Sequence, residues 1–96
     1  MTQTVEEVAR SRADAVVSND FGATLRLMTH DAFGKAMDLD ISAWDYDTYE
    51  LEPRGTEGED RVFVVTFHGK EGTLVLRDRF RFIDGAWKLV DIDRIE

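Results

Sequence analysis

The sequence contains no cysteine, a single proline and no long apolar run. The absence of cysteine excludes disulfide bonds and thiolate chemistry, and it removes a principal ligand of structural zinc sites. No stretch approaches the roughly 20 apolar residues that a membrane-spanning helix needs. Basic residues are also scarce, since 12 Lys and Arg stand against 20 Asp and Glu and leave a net charge of −8. A chain of this charge is not expected to bind the phosphate backbone of a nucleic acid.

The remaining composition is that of one globular domain. The 96 residues are 43% hydrophobic and 33% charged, which predicts a single folded domain over residues 1–96 without linkers or repeats. Residues 1–7 are polar and then acidic, unlike the basic and apolar start of a secretory signal, so we expect a cytoplasmic protein. The sequence has no phosphate-binding loop, dinucleotide glycine pattern, nucleophile elbow or metal-ligand spacing. No metal or other cofactor is therefore expected.

The first half of the chain has helical periodicity. Thr4 and Glu7 fit the T-x-x-E capping box, and the apolar residues that follow recur at helical spacing, which predicts a first helix of about four turns. The pair Asn19-Asp20 breaks this helix and supplies an N-cap for a second one. The second helix is expected to end at His30, with one further turn over residues 32–37.

The second half changes to the two-residue period of strands. β-branched and aromatic residues alternate with polar ones, which predicts strands over roughly 44–53, 61–68, 73–83 and 86–95. Asp84-Gly85 is a strong signal for a type I′ hairpin, residues 69–72 make a tight turn, and residues 54–59 make a loose connection. The predicted fold is α+β, with an N-terminal helix pair packed on a four-stranded antiparallel sheet.

The two tight turns set the register of the last three strands. Side chains alternate across a sheet, so one face collects most of the aromatic residues and is predicted to receive the helices. The other face carries Arg77, Arg79 and Arg81 among a few aliphatic residues. It is either a solvated face or a sheet-to-sheet homodimer interface in which these arginines meet the partner's acids. The homodimer hypothesis uses Val64, Val75, Arg77, Arg79, Val90 and Ile92.

Two aspartates fall on the face that is predicted to form the core. If the last hairpin is regular, Asp78 lies opposite Asp91, and two buried carboxylates cannot both ionise cheaply. One hypothesis is a catalytic dyad, in which one carboxyl acts as the acid and the other as the base. The alternative is structural: Asp78 pairs with an arginine, or a β-bulge turns one aspartate to solvent.

Other candidate residues accompany this pair. His30 is a third catalytic candidate, a general base whose tautomer Asp31 would fix; alternatively, it caps free carbonyls at a helix end. Residues 38–60 hold nine acids and one base. Their spacing does not match a calcium-binding loop, and they are expected to form a solvated edge that resists strand-to-strand aggregation. The expected pocket is lined by Arg26, Trp44, Tyr46, Phe63, Phe80 and Trp87.

Three segments resemble the nuclear transport factor 2-like superfamily, also described as SnoaL-like or ketosteroid-isomerase-like. They are residues 13–21 between the first two helices, 25–32 at the end of the second, and 79–92 in the final hairpin. The resemblance covers about residues 5–95. It implies a curved antiparallel sheet wrapped around helices as a short, cone-shaped, cystatin-like α+β barrel, with frequent dimers through the outer face of the sheet. The family's usual third helix has room only over residues 31–43.

Two functions are compatible with these observations. The first is a small non-catalytic domain that holds an apolar small molecule or a protein partner between helices and sheet. The alternative is an acid–base enzyme of the isomerase, dehydratase or cyclase type, acting on a small carbonyl, enol or epoxide substrate. In the enzyme, Asp78 and Asp91 would be assisted by His30 or Arg26. A cavity that contains both carboxylates would favour the enzyme, and a filled core would favour the binding domain.

Overall fold

A computed structural model describes residues 3–39 and 45–95. Three helices come first: α1 (Val5–Val17), α2 (Phe21–Arg26) and α3 (His30–Asp38). Four strands follow: β1 (Thr48–Glu57), β2 (Asp60–Gly69), β3 (Gly72–Ile83) and β4 (Ala86–Arg94). The strands form one antiparallel sheet in the order β1-β2-β3-β4, which confirms the predicted α+β class. None of the described helices is long and apolar enough to cross a membrane.

The first two helices begin where the sequence predicts. Glu7 N donates to Thr4 Oγ1 at 3.2 Å, and Thr4 N donates to Glu7 Oε1 at 2.9 Å, which completes the capping box. After α1, Asn19 adopts a left-handed φ of 58°. The next residue, Asp20, caps α2 by accepting a hydrogen bond from Ala23 N at 3.1 Å. Both predictions are confirmed because they depend on contacts within one helical turn.

The predicted end of the second helix is wrong. Helix α2 stops early because the edge of β4 binds the next residues: Leu89 N donates to Leu27 O at 2.7 Å, and Thr29 N donates to Leu89 O at 3.0 Å. Met28 thereby forms an isolated parallel bridge with Leu89. Thr29 then caps a new helix, and His30 is the first residue of α3. His30 therefore caps no carbonyls at a helix end.

The hairpins between β2, β3 and β4 are tight, as predicted. Gly69 pairs with Gly72, and Asp84-Gly85 has the two positive φ angles, 50° and 85°, of a type I′ turn. The prediction of a loose connection over residues 54–59 is wrong, because β1 continues to Glu57 through an irregularity between Pro53 and Thr56. The remaining turn is only two residues long and begins at Gly58, where φ is 61°.

The core lies between the helices and one face of the sheet, here called the inner face. It includes eight sheet residues that are at most 2% exposed: Phe63, Val65, Phe67, Leu74, Leu76, Phe80, Leu89 and Ile92. They pack against Val5, Val8, Ala9 and Ala13 of α1 and Ala32 of α3. Burial of each large apolar side chain contributes about 1.5–3 kcal/mol. The opposite face, here called the outer face, carries Arg77, Arg79 and Arg81, which we call the arginine ladder. The helices therefore cover the predicted side of the sheet.

A β-bulge in the middle of β4 changes the predicted register. The ladder between β3 and β4 is regular from the turn to Leu89, but Val90 is an extra residue and Arg79 pairs with Asp91. Ile92 therefore turns inward opposite Asp78, where it is 0% exposed, while Asp91 turns outward. The predictions that Asp91 faces Asp78 and that Ile92 lies on the outer face are wrong. A bulge inverts the alternation of every later residue in its strand.

Candidate functional site

Asp78 is the buried carboxyl at the centre of the inner face. It is 2% exposed, and its partner Arg12, from α1, is 1% exposed. Arg12 Nε lies 3.4 Å from Asp78 Oδ2, and Arg12 Nη2 donates to Asp78 Oδ1 at 3.4 Å. Both structural alternatives considered for the two aspartates are therefore realised: Asp78 pairs with an arginine, and a bulge moves Asp91 away.

Arg12 occupies a position on α1 that the helical period assigns to the core. It follows Val8 by four residues and Ala9 by three, so the three side chains share one face. Its guanidinium carbon lies 5.8 Å from the centre of the Phe67 ring. Arg12 Nε and Nη1 are buried without a hydrogen-bond acceptor among the described residues. The ion pair is thus long and incompletely hydrogen-bonded, a geometry in which desolvation offsets much of the attraction.

The environment of Asp78 opposes its charge. Burial raises the pKa of Asp78 above its ordinary value of 3.8, and the positive charge of Arg12 offsets only part of that effect. Because the side chain is 2% exposed, it contacts protein atoms rather than solvent. Asp78 and Arg12 are therefore a buried pair between α1 and the sheet, away from any solvent-accessible site.

Asp91 lies on the outer face beside the edge of β4. Its Oδ1 is 2.5 Å from Lys35 Nζ, on α3, and its Oδ2 is 3.7 Å from Arg79 Nη2. The same carboxylate accepts a hydrogen bond from Ile92 N at 3.1 Å. Partial burial raises the pKa of Asp91, but the hydrogen bond and charge of Lys35 and the charge of Arg79 outweigh it and lower the pKa overall. Asp78 and Asp91 point to opposite faces of the sheet, so the predicted dyad is not assembled.

The other polar candidates lie away from Asp78. His30 is exposed at the first position of α3, and Arg26 is exposed at the last position of α2. The carbonyl of Arg26 accepts a hydrogen bond from Lys88 Nζ at 2.8 Å. Trp44 lies outside the described residues. The structure therefore does not bring the three predicted catalytic residues to one site.

The predicted pocket aromatics are distributed along the sheet. Phe63 and Phe80 pack edge to face in the core, with ring centres 5.9 Å apart. Tyr46 lies beside the β2–β3 turn, where its Cδ1 is 3.0 Å from the position that a Cβ on Gly69 would take. Trp87 lies beside the β3–β4 turn, at the other end of β3. Tyr46 and Trp87 are half-buried and pack against the core, so these aromatics contribute to packing at separate places.

The outer face carries a buried carboxylate of its own. Asp60 is 3% exposed and accepts two hydrogen bonds from Arg81, from Nε at 2.7 Å and from Nη2 at 3.1 Å. Arg79 Nε lies 2.8 Å from Asp60 Oδ2. The hydrogen bonds from Arg81 lower the pKa of Asp60 despite the opposing effect of burial, and the charges of Arg81 and Arg79 add to the lowering. Asp60 thus holds two rungs of the arginine ladder in place.

The third rung of the ladder is also paired within the chain. Arg77 pairs with Glu57, which lies 3.6 Å from Arg79 as well. Arg77 Nη1 is 3.8 Å from Asp93 Oδ2, and Asp93 Oδ1 is 2.9 Å from Lys35 Nζ. Four acids and four bases are therefore connected in one network, the outer-face network: Lys35, Glu57, Asp60, Arg77, Arg79, Arg81, Asp91 and Asp93. Its charges cancel, so the net charge of −8 is carried by the rest of the chain.

A groove lies beside this network on the outer face. It is open to solvent and has a volume of about 470 Å³, and its lining consists of Arg54, Glu57, Val62, Val64, Val75, Arg77 and Ile95. Val62 is 3% exposed, Val64 and Val75 are half-buried, and Ile95, which directly follows β4, is 50% exposed. The groove thus combines an apolar strip with charged walls, and we call its aliphatic part, Val62, Val64, Val75 and Ile95, the apolar strip.

Sequence reasoning missed three residues that form the ion pairs described above: Arg12, Lys35 and Asp60. Arg12 had a signal, because it interrupts the apolar stripe of α1. Asp60 had one too, because extending the β2–β3 register from the tight turn places it opposite Arg81. Lys35 had none, since its contact with Asp91 depends on the bulge and on the position of α3.

Within residues 3–39 and 45–95, no three His, Asp or Glu side chains are grouped so that they could hold a metal ion.

Comparison with known proteins adds no assignment. No protein-family model and no curated protein matches this chain.

Proposed function

We propose that the chain is a non-catalytic binding domain that acts as a homodimer, with the outer face of the sheet as its binding surface. The observation that carries this proposal is the apolar strip, which lies in a groove of about 470 Å³ beside a balanced network of charges. The described inner-face rings of Phe63, Phe67 and Phe80 are at most 2% exposed, so they pack against protein atoms. This burial is the reason for placing the binding surface on the outer face rather than between helices and sheet.

The size of the outer face suits a second copy of the chain. Four strands spaced about 4.8 Å apart, each rising about 3.3 Å per residue, present a face of roughly 600 Å² before the relief of the side chains is counted. A standard protein–protein interface buries about 800 Å² on each partner. Contact over the whole sheet face would therefore approach the standard size.

The distribution of charge also favours a second copy. Two chains with a net charge of −8 each repel one another at most orientations. The outer-face network is internally neutral, so it offers an approach without that repulsion. Self-complementary contact is the usual geometry of a two-fold dimer. In this geometry the guanidinium groups stay bound to acids of their own chain, and the apolar strip supplies the contact between copies.

The proposal includes membership of the nuclear transport factor 2-like superfamily, with a sheet that curves towards a cone. Its support is the order of elements, helices followed by four antiparallel strands. Helix α3 overlaps residues 31–43, the stretch that had room for the family's third helix, although it precedes all four strands instead of lying between early ones. A crystal structure with a flat sheet would contradict this assignment. The expected cytoplasmic location belongs to the same proposal and is tested by cell fractionation.

Sedimentation velocity tests the homodimer. We expect the wild-type chain to sediment as a dimer at micromolar concentration, and Val75→Arg to sediment as a monomer because it places a charge in the apolar strip. The nearly isosteric Val75→Thr should weaken the dimer without unfolding the chain. Leu25→Arg is the matched control, since Leu25 is 46% exposed on α2, away from the sheet's outer face. A monomeric wild-type chain at this concentration overturns the proposal.

A further inference from the structure

The outer-face network extends around the edge of the sheet to a helix on the other side. Lys35 belongs to α3, which packs against β4 on the inner side of the sheet. Its Nζ nevertheless lies 2.5 Å from Asp91 Oδ1 and 2.9 Å from Asp93 Oδ1. Both aspartates point to the outer face because of the bulge at Val90. One lysine therefore connects the helical layer to the proposed binding surface.

The two aspartates are in turn linked to the arginine ladder. Asp91 lies 3.7 Å from Arg79, and Asp93 lies 3.8 Å from Arg77. These distances are longer than those to Lys35, so the lysine is the closer cation for both carboxylates. Without it, two like charges on one side of β4 would compete for the same arginines that Glu57 and Asp60 hold.

Helix α3 has few buried side chains. It has nine residues, of which Ala32 is buried and Ala36 is half-buried against the core. Its start is tied to the sheet by the hydrogen bond from Thr29 N to Leu89 O at 3.0 Å. Elements with few buried contacts open at low free-energy cost, independently of global unfolding.

We infer that Lys35 couples the docking of α3 to self-association, so that α3 regulates the outer face. This inference rests on the proposed homodimer. When α3 is docked, Lys35 neutralises Asp91 and Asp93 and the outer-face network is balanced. When α3 leaves β4, the network loses one positive charge, becomes acidic and repels a second copy. By thermodynamic linkage, dimer formation must stabilise the docked position of α3 to the same extent.

Two measurements on the full chain test this coupling. The first is the dimer dissociation constant of Lys35→Met, which keeps the apolar stem and removes the charge, and of Lys35→Arg, which keeps the charge. We expect a rise of about fivefold or more for Lys35→Met and near wild-type affinity for Lys35→Arg. Lys70→Met is the matched control, because Lys70 lies in the β2–β3 turn and its loss should leave the dimer unchanged.

The second measurement is hydrogen exchange of the α3 amides below and above the dimer dissociation constant. We expect slower exchange in the dimer for the wild-type chain and no such difference for Lys35→Met. A dimer that is unchanged by Lys35→Met, or α3 amides that exchange equally in monomer and dimer, would overturn the coupling and leave the homodimer standing. A wild-type chain that never dimerises would instead overturn both proposals.

Discussion

Removing the charge of Arg12 should reveal what the buried ion pair costs. Arg12→Met leaves Asp78 as a buried carboxylate without a counter-ion, which typically costs about 3–5 kcal/mol. A domain of this size has a total stability of about 5–15 kcal/mol, so this variant should lose a large share of its stability. Arg10→Met is the matched control, because Arg10 lies on the same helix with 55% of its side chain exposed, and it should leave the unfolding midpoint nearly unchanged.

The double variant Arg12→Met/Asp78→Leu separates the cost of the charges from the value of the contact. Replacing a buried ion pair by apolar groups of similar volume is often neutral or stabilising by about 1–4 kcal/mol. The Arg12–Asp78 pair should fall at the stabilising end, since both of its nitrogen–oxygen distances are 3.4 Å and two guanidinium nitrogens have no acceptor among the described residues. The free energy of unfolding of the double variant should therefore equal or exceed that of the wild type.

Urea unfolding followed by far-ultraviolet circular dichroism measures all three variants. The slope of unfolding free energy against urea should be unchanged, which would show that the same surface is exposed on unfolding. A double variant as unstable as Arg12→Met alone would refute the reasoning, because it would mean that the ion pair holds α1 on the sheet by specific contacts that apolar side chains cannot replace.

Three further predictions concern the buried residues Asp78, Asp60 and Ile92. Burial raises the pKa of Asp78 above 3.8, so the native state binds the Asp78 proton more tightly than the unfolded state does. Asp78 therefore makes the free energy of unfolding fall as pH rises above 3.8. Asp78→Asn should remove that part of the pH dependence, as measured by urea unfolding. The pKa of Asp60 is lowered, so its contribution to the free energy of unfolding is present above pH 3.8 and is lost as pH falls. Asp60→Asn should therefore lower the free energy of unfolding by about 1.5–3 kcal/mol at neutral pH and should have no effect in strong acid. A constant loss at every pH would contradict this. Ile92→Ala should cost about 2–5 kcal/mol in thermal unfolding, and the bulged, half-buried Val90 should lose less on the same change; equal losses would indicate a regular β4.

Local patterns predicted much of the fold. The capping box at Thr4, the N-cap at Asp20 and the turn at Asp84-Gly85 each depend on contacts between residues close in sequence, and each was predicted correctly. The pairing of Phe63 with Asp78 was also predicted, because a two-residue turn fixes the register of both its strands. The residue types and periodicity of these segments were sufficient to predict the caps, the turn and the register without tertiary information.

Two predictions were wrong because they depended on contacts between distant parts of the chain. The helix expected to end at His30 stops at Arg26 because Leu89, far along the chain, binds the backbone of Leu27 and Thr29. The Asp78–Asp91 dyad was lost to a bulge that no local signal marks. Alternation along β4 can be read from the sequence, but the residue at which it is interrupted depends on which side chains can be buried under the helices.

The bulge at Val90 has a consequence for how this domain changes during evolution. Deleting that one residue would make β4 regular and leave Asp91 facing outward and Ile92 facing inward, because Asp91 would then follow Leu89 directly in the ladder. Straightening the strand at constant length would instead exchange the inward and outward positions from Asp91 onward, because Val90 would then take a place in the alternation. A natural relative with a regular β4 of the same length must therefore carry the opposite order of apolar and acidic residues after Leu89, whereas a relative that lacks the bulged residue keeps the order found here.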